Sequence, residues 1–135
     1  MSLFRKVLER LSRGRIVKRR ISVGGRRGEI LVTPDAQLKY LKLGSSAFDQ
    51  DLIEIAEKYI GDDDTVWDIG AGCGGVSVEL AYWHPHSRIV AIEHHPERLA
   101  CLTANQERFG VVQNLSIVAG RAPDVLVYLL SQGGV

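Results

Sequence analysis

The chain has 135 residues, of which 45% are hydrophobic and 24% charged, with 14 Gly and 4 Pro. This composition is typical of one globular domain and excludes disordered, collagen-like and disulfide-built proteins. The two cysteines show no C-x-x-C spacing, and charges run throughout residues 1–27. We therefore expect a cytoplasmic protein with neither a secretory leader nor a transmembrane segment.

The formal net charge of +1 is the sum of a strongly basic segment, residues 1–27 (the basic head), and an acidic remainder, residues 28–135 (the acidic body). Residues 1–27 hold ten Lys or Arg against Glu9, whereas residues 28–135 hold seven basic and fifteen acidic residues. Such a head can bind nucleic acid, an anionic lipid surface or an acidic partner, or it can fold onto its own acidic body. Because no Phe or Tyr is interleaved in residues 13–27, we do not expect nucleic acid as a partner.

The first third of the chain predicts a helix and a short β-rich segment. Apolar residues recur at helical spacing over residues 3–12, and Gly14 is a candidate stop. From Ile21 to Val32 the pattern changes to short β-like runs interrupted by glycines, and Thr33-Pro34-Asp35 predicts a turn before Leu38–Leu43. We therefore assign residues 1–43 to a basic N-terminal helix with a small β-rich entry segment.

The rest of the chain, residues 44–135, predicts an α/β domain. A helix over Phe48–Ile60 is followed by alternating strands and helices. The predicted order is strand Thr65–Ile69, helix Gly75–Trp83, strand Arg88–Glu93, helix Pro96–Phe109, strand Leu115–Ala119 and helix Pro123–Leu130. This alternation favours a doubly wound parallel sheet with right-handed crossovers.

A glycine-rich turn follows the first strand of this domain. Gly70, Gly72 and Gly75 form G-x-G-x-x-G between a predicted strand and a predicted helix, and the next strand ends in Glu93. Glycines let a ligand approach the backbone, and a carboxylate at the end of the second strand can accept hydrogen bonds from a ribose diol. The arrangement predicts a nucleoside site.

Two cofactors compete for this site, NAD and S-adenosylmethionine. Asp68, two residues before the first glycine, would add negative charge near the pyrophosphate of a dinucleotide. The ammonium and sulfonium of S-adenosylmethionine would instead benefit from a carboxylate. The sequence favours S-adenosylmethionine; in the alternative interpretation Asp68 only caps the glycine turn.

The sequence predicts no metal site and identifies no catalytic residue. His84, His86, His94 and His95 are not accompanied by a Cys or carboxylate at a spacing that completes a ligand set. Cys73 lies among glycines with no general base at a recognisable spacing, so we do not expect it to act as a nucleophile.

The same residues resemble a known family. The segment V-W-D-I-G-A-G-C-G over residues 66–74 resembles the first motif of class I S-adenosylmethionine-dependent methyltransferases, and A-I-E over residues 91–93 resembles their ribose-binding acid. Residues 65–126 most resemble the decarboxylating precorrin-6Y methyltransferases of cobalamin biosynthesis, through WDIGAGCGGVSVE, AIEHHPERL, N-x-x-R-F-G and GRAPDVL. Residues 41–70 resemble FkbM-type O-methyltransferases.

The resemblance implies a donor site and its residues. Gly70, Gly72 and Gly74 would line the methionine end, Glu93 would hold the ribose hydroxyls, and His94 would neighbour the adenine. Many class I enzymes have an Asp near the adenine amino group where this chain has Gly120-Arg121-Ala122, so the backbone there would have to accept that bond. The complete set of candidate cofactor-binding residues is Asp68, Gly70, Ala71, Gly72, Gly74, Glu93, His94, Gly120, Arg121 and Ala122.

The resemblance also implies an incomplete sheet. We expect a Rossmann-like α/β fold of the class I methyltransferase type that is truncated after its third core strand, with the edge of Thr65–Ile69 lacking a partner unless residues 21–43 supply one. The expected function is methyl transfer to a small molecule, and the expected assembly is a homodimer that covers this edge. The alternatives are an FkbM-type O-methyltransferase and a non-catalytic module, a fragment or chimera, that acts through its basic head.

Overall fold

The computed structural model describes residues 3–23, 26–33 and 50–133. Five helices are present in this part of the chain: α1 (Leu3–Ser12), α2 (Gln50–Tyr59), α3 (Gly75–Trp83), α4 (Pro96–Arg108) and α5 (Ala122–Ser131). The strands are β1 (Val17–Val23), β2 (Arg26–Val32), β3 (Thr65–Ile69), β4 (Arg88–Glu93) and β5 (Leu115–Ala119).

The sheet of the C-terminal region is parallel, with the order β3-β4-β5. Its central strand β4 is buried on both faces, which explains the continuous apolar run of residues 89–92. Ile89 and Ala91 belong to the cluster that packs with α3 and α4, whereas Val90 and Ile92 pack with α5. Helices therefore cover both faces, and the predicted doubly wound α/β fold is confirmed.

The N-terminal strands form a separate antiparallel hairpin, in which Val17 pairs with Val32 and Val23 with Arg26. Its inner face buries Ile30 and Val32 in a small cluster with Cys73 and Cys101. The hairpin thus packs against the glycine turn and α4. It begins at Val17, four residues before the predicted β-rich run. The prediction started late because three consecutive basic residues, Lys18 to Arg20, interrupt the apolar pattern of β1.

The predicted bounds agree closely with the structure beyond residue 60. The predicted bounds of β3, α3, β4 and β5 are those observed, and α4 and α5 differ by one residue at their ends. Thr33 is the last described residue before a gap that runs to residue 49. The rest of the predicted turn, Pro34-Asp35, and the segment Leu38–Leu43 therefore lie outside the described residues. The division at residues 43 and 44 also falls there and stays a prediction.

One edge of the parallel sheet has no partner strand within residues 3–23, 26–33 and 50–133. There β3 pairs with β4 alone, and the hairpin forms its own sheet instead of extending this one. In the part of the chain that the structure describes, no helix combines the length and the apolar character needed to cross a bilayer.

Candidate functional site

A pocket of about 530 Å³ opens at the carboxyl ends of the three parallel strands. In open α/β sheets this is where ligands bind. Six of the ten predicted site residues line it: Gly70, Glu93, His94, Gly120, Arg121 and Ala122. Ile69, Ile92 and Pro123 complete its lining and give it apolar walls. The fold therefore brings predicted residues from the ends of all three strands into one pocket.

The glycine turn is fixed to the end of β4 by backbone hydrogen bonds. The N–H groups of Gly70 and Ala71 both donate to the carbonyl oxygen of Ile92, at 2.9 and 3.0 Å. Gly70 and Gly72 adopt φ values of +77° and +61°, and a Cβ at either would meet nothing within 4 Å. These two glycines are therefore required by backbone conformation and leave open space beside the turn.

Glu93 lies at the centre of the hydrogen bonds that hold the site together, and it is only 3% exposed. Its Oε1 accepts hydrogen bonds from the backbone N–H groups of His94 and His95 at 2.8 and 2.9 Å, and its Oε2 accepts one from Gly72 at 3.0 Å. Burial raises the pKa of the Glu93 carboxyl, but these three hydrogen bonds and the charge of Arg98 bring the net pKa below the ordinary 4.5. The carboxylate is thus ionised at neutral pH and holds the glycine turn against the end of β4.

Asp68 lies at the end of β3, half-buried, and accepts a hydrogen bond from the hydroxyl of Ser77 on α3. Ser77 is fully buried and was missed by sequence reasoning, because a serine inside a helix carries no signal for a distant acceptor. The contact orients the Asp68 carboxylate and links β3 to α3. The direct role of Asp68 toward a cationic ligand stays a prediction.

Gly74 and Ala71 occupy the inner side of the turn. A Cβ at Gly74 would lie 2.3 Å from Leu102 Cδ1, and its φ is +88°, so close packing on α4 explains this glycine. Ala71 packs against the main core. Neither residue lines the pocket, and their predicted contact with the donor remains untested.

Asn105 is the main structural residue of the site that sequence reasoning missed. It is fully buried on α4, and its Nδ2 donates to the carbonyl oxygens of Cys73 and Leu31, each at 2.8 Å. Its Oδ1 accepts from the Leu31 N–H, also at 2.8 Å. One side chain therefore connects the glycine turn, α4 and the N-terminal hairpin.

Cys73 and Cys101 meet behind the turn, although they stand in different sequence contexts. Both are buried free thiols. The backbone N–H of Thr33 donates to Cys73 Sγ at 3.3 Å. The hydrogen bond with the Cys101 side chain has the largest effect and lowers the pKa of Cys73. Burial raises this pKa, and the hydrogen bonds with Thr33 lower it. Together these effects bring the pKa of Cys73 from 9.0 to about 6.

Comparison with known proteins identifies relatives over this region. The family model described as "Precorrin methyltransferase domain" matches residues 53–132, more than half of the chain. The chain is similar to the probable cobalt-precorrin-6B C(15)-methyltransferase (decarboxylating) of Pyrobaculum calidifontis, with 41% identity over 46% of this chain and 32% of that protein. The corresponding enzyme of Salmonella typhimurium is 43% identical over 42% of this chain and 29% of its own length.

A solved structure supports the same relationship. The precorrin-6Y C5,15-methyltransferase of Geobacter metallireducens matches 58% of this chain and 42% of its own, with a TM-score of 0.53 and 32% identity. The chain spans about a third of the length of the curated relatives it matches. These findings confirm the precorrin-type resemblance and do not support the FkbM-type one, of which residues 41–49 lie outside the described residues. The chain belongs to the precorrin methyltransferase domain family, class I methyltransferases whose methyl donor is S-adenosylmethionine.

Proposed function

We propose that the pocket at the ends of β3, β4 and β5 binds S-adenosylmethionine and that the chain takes part in methylating a precorrin-type tetrapyrrole. The observation that carries this proposal is the position of Glu93. It is an ionised, buried carboxylate at the end of the second parallel strand, it lines the pocket, and three backbone N–H groups hold it. Its Oε2, which accepts one hydrogen bond from the Gly72 N–H, can also accept a hydrogen bond from a ribose hydroxyl.

The pocket residues fit an adenosyl group. A volume of about 530 Å³ is in the range of small-molecule sites. Ile69 and Ile92 offer apolar walls to a planar base, and Gly70 offers open space beside its backbone. Glu93 would hold the ribose. Such a combination of apolar walls with one fixed polar anchor is typical of nucleoside sites.

The adenine end would be held by the segment Gly120–Ala122. The N–H of Gly120 already donates to the Glu93 carbonyl at 2.9 Å, which joins this segment to the ribose anchor. Ala122 begins α5, and backbone N–H groups in the first turn of a helix have no acceptor within the helix. Arg121 is exposed and carries only donors, so recognition of the adenine amino group would fall to backbone carbonyls of this segment.

The acceptor is proposed from the relatives. Those quoted above are named as decarboxylating methyltransferases of precorrins or cobalt-precorrins. When bound, S-adenosylmethionine supplies a methyl group on an electrophilic sulfonium. The residues of this chain would fix the nucleoside, and catalysis of methyl transfer depends mainly on holding the acceptor carbon in line with that methyl group. We place the acceptor side at the carboxyl end of β3, where Ile69 lines the pocket.

Calorimetry tests the donor site directly. We expect S-adenosylhomocysteine to bind to the full chain and NAD to give no comparable heat. Glu93→Gln should weaken the binding by about tenfold or more, because one hydroxyl acceptor is replaced by an amide donor. Glu107→Gln on the exposed side of α4 is the matched control and should bind normally. Tight NAD binding without a response to S-adenosylhomocysteine would overturn the cofactor assignment.

Activity requires a separate assay. The chain is incubated with S-adenosylmethionine and a cobalt-precorrin-6B-type tetrapyrrole, and the acceptor is examined by mass spectrometry for the gain of one methyl group. Transfer that is lost in Glu93→Gln and kept in Glu107→Gln supports the proposal. Donor binding without any transfer would restrict this chain to the donor half of the reaction.

A further inference from the structure

Helix α1 carries an apolar face that the described residues leave uncovered. Leu3, Phe4, Val7 and Leu11 are 80%, 72%, 47% and 61% exposed. Their spacing of i, i+1, i+4 and i+8 places them on one side of the helix. A contiguous exposed apolar face with an aromatic residue is typical of an interaction surface.

Basic side chains border this face. Lys6 and Arg10 are four residues apart, so they lie one above the other beside the apolar stripe, and both are exposed. Arg13 and Arg15, also exposed, follow directly after the helix. The first turn of α1 contains no acidic residue. The helix is therefore apolar on one side and positively charged along its flank.

The combination favours one kind of partner. A nucleic acid would use the positive charges but not a stripe of Leu, Val and Phe, since its outer surface is phosphate. A bilayer with anionic lipids uses both features, because the apolar side chains enter the boundary between headgroups and acyl chains while the cations contact the lipid phosphates. With a length of ten residues, about 15 Å, α1 can lie in this surface but cannot cross it.

We propose that α1 binds, in the plane of the surface, to a bilayer that contains anionic lipid. A short turn joins the helix to the hairpin. The Ser12 hydroxyl donates to the Leu8 carbonyl at 2.7 Å, the Arg15 N–H donates to the Ser12 carbonyl at 3.1 Å, and only residues 13–16 separate α1 from β1. Binding of α1 therefore brings the hairpin close to the membrane.

Vesicle co-sedimentation of the full chain tests this proposal. We expect binding to vesicles of phosphatidylcholine and phosphatidylglycerol at a molar ratio of roughly 3:1, little binding to phosphatidylcholine alone, and a decline as salt screens the charges. The double variant Phe4→Ser with Leu11→Ser should lower the partition coefficient by about tenfold or more, and so should Lys6→Gln with Arg10→Gln.

Matched controls separate these effects from general surface changes. Val127→Ser with Tyr128→Ser removes two exposed apolar side chains from α5, and Arg88→Gln removes an exposed charge at the start of β4. Both variants should bind vesicles as the unchanged chain does. Binding of S-adenosylhomocysteine, measured on every variant, shows whether the pocket is intact, so a failure of the membrane proposal is distinct from a failure of the donor site.

Three outcomes would overturn the membrane proposal. One is the absence of binding to anionic vesicles. A second is binding to heparin and vesicles alike that is insensitive to Phe4→Ser with Leu11→Ser, which would indicate a general polyanion site. The third is a dimer in light scattering that the same double variant dissociates while vesicle binding is absent, which would show that a second copy covers α1.

Discussion

The Asn105 side chain and the Leu31 backbone exchange two hydrogen bonds of 2.8 Å. The carboxamide thus pairs with both backbone groups of Leu31, as a residue of a neighbouring strand would. The backbone N–H and C=O of Leu31 are thereby satisfied at a position where the hairpin faces α4. The third bond of this side chain, to the Cys73 carbonyl, extends the connection to the glycine turn. A buried residue that pairs three backbone groups is a strong determinant of a unique packing.

The first prediction concerns this residue. Asn105→Ala removes the partner of one buried and two partly buried backbone groups, and we expect the free energy of unfolding to fall by about 2–4 kcal/mol. Urea denaturation followed by circular dichroism measures it. Gln113→Ala, which truncates an exposed amide, should change stability by less than about 0.5 kcal/mol. Equal stability of the two variants would show that water or a rearranged hairpin replaces the Asn105 contacts.

The second prediction concerns the pH dependence of Glu93. Its pKa lies below the ordinary 4.5 in the folded chain, so the folded state releases this proton more readily than the unfolded state. The resulting stabilisation is fully present above about pH 4.5 and is lost as the pH falls through the lower, folded value. Chemical denaturation between pH 3 and 7 should show this loss in the unchanged chain. If the free energy of unfolding of Glu93→Gln falls between pH 7 and pH 3 as much as that of the unchanged chain, Glu93 is not the source of the loss.

The third prediction concerns Cys73. Because its pKa is about 6 in the folded chain and 9.0 ordinarily, the unfolded state binds more protons between these pH values. The free energy of unfolding should therefore rise with pH across this window, by up to about 1.4 kcal/mol per pH unit, and this contribution is absent below pH 6. Cys73→Ser should remove the slope. Cys101→Ala, which removes the hydrogen-bond partner, should reduce it, and an unchanged slope in both variants would contradict the assignment.

The fourth prediction contrasts two glycines of the turn. Gly74→Ala places a Cβ against Leu102 in a left-handed conformation, and we expect a loss of about 2–4 kcal/mol of stability. Gly72→Ala meets no neighbouring atom, so only the backbone strain of about 1–2 kcal/mol remains. Adding Leu102→Ala to Gly74→Ala should cost less than the sum of the single changes. If the two costs add, contact with Leu102 is not the reason why Gly74→Ala destabilises the fold.

The fifth prediction concerns assembly. Within the described residues β3 pairs on one side only, and unpaired strand edges favour association. We expect light scattering after size exclusion at micromolar concentration to detect a homodimer or a larger assembly. A monomer that unfolds cooperatively at every concentration would show that the chain covers this edge by itself.

The parallel sheet was predictable from the sequence because its signals are local. The unbroken apolar run of β4 marks a strand buried on both faces, and Pro96 marks the start of α4. Glu93 was predictable for the same reason, since it ends a strand that follows a glycine turn. The immediate neighbours of these residues in the sequence carry the signal, so the element bounds beyond residue 60 and six of the nine residues that line the pocket were predicted.

The supports of the site were not predictable, because each depends on contacts between distant parts of the chain. Asn105 has polar neighbours in a helix, and nothing in its surroundings indicates a bond to Leu31, 74 positions away. Ser77 and Asp68 lie on consecutive elements, but their contact depends on how α3 packs on β3. The proximity of Cys73 to Cys101 likewise arises only when α4 covers the turn.

The bond between Leu31 and Asn105 also constrains the order in which the molecule is assembled on the ribosome. The hairpin leaves the exit tunnel long before α4, and at about 5–20 residues per second the 74 positions between them take roughly 4–15 s to synthesise. During this time the apolar residues Ile30 and Val32 have no helix to pack against. A nascent chain stalled before residue 105 should therefore expose the hairpin to proteases and chaperones, and release of α4 should end that exposure.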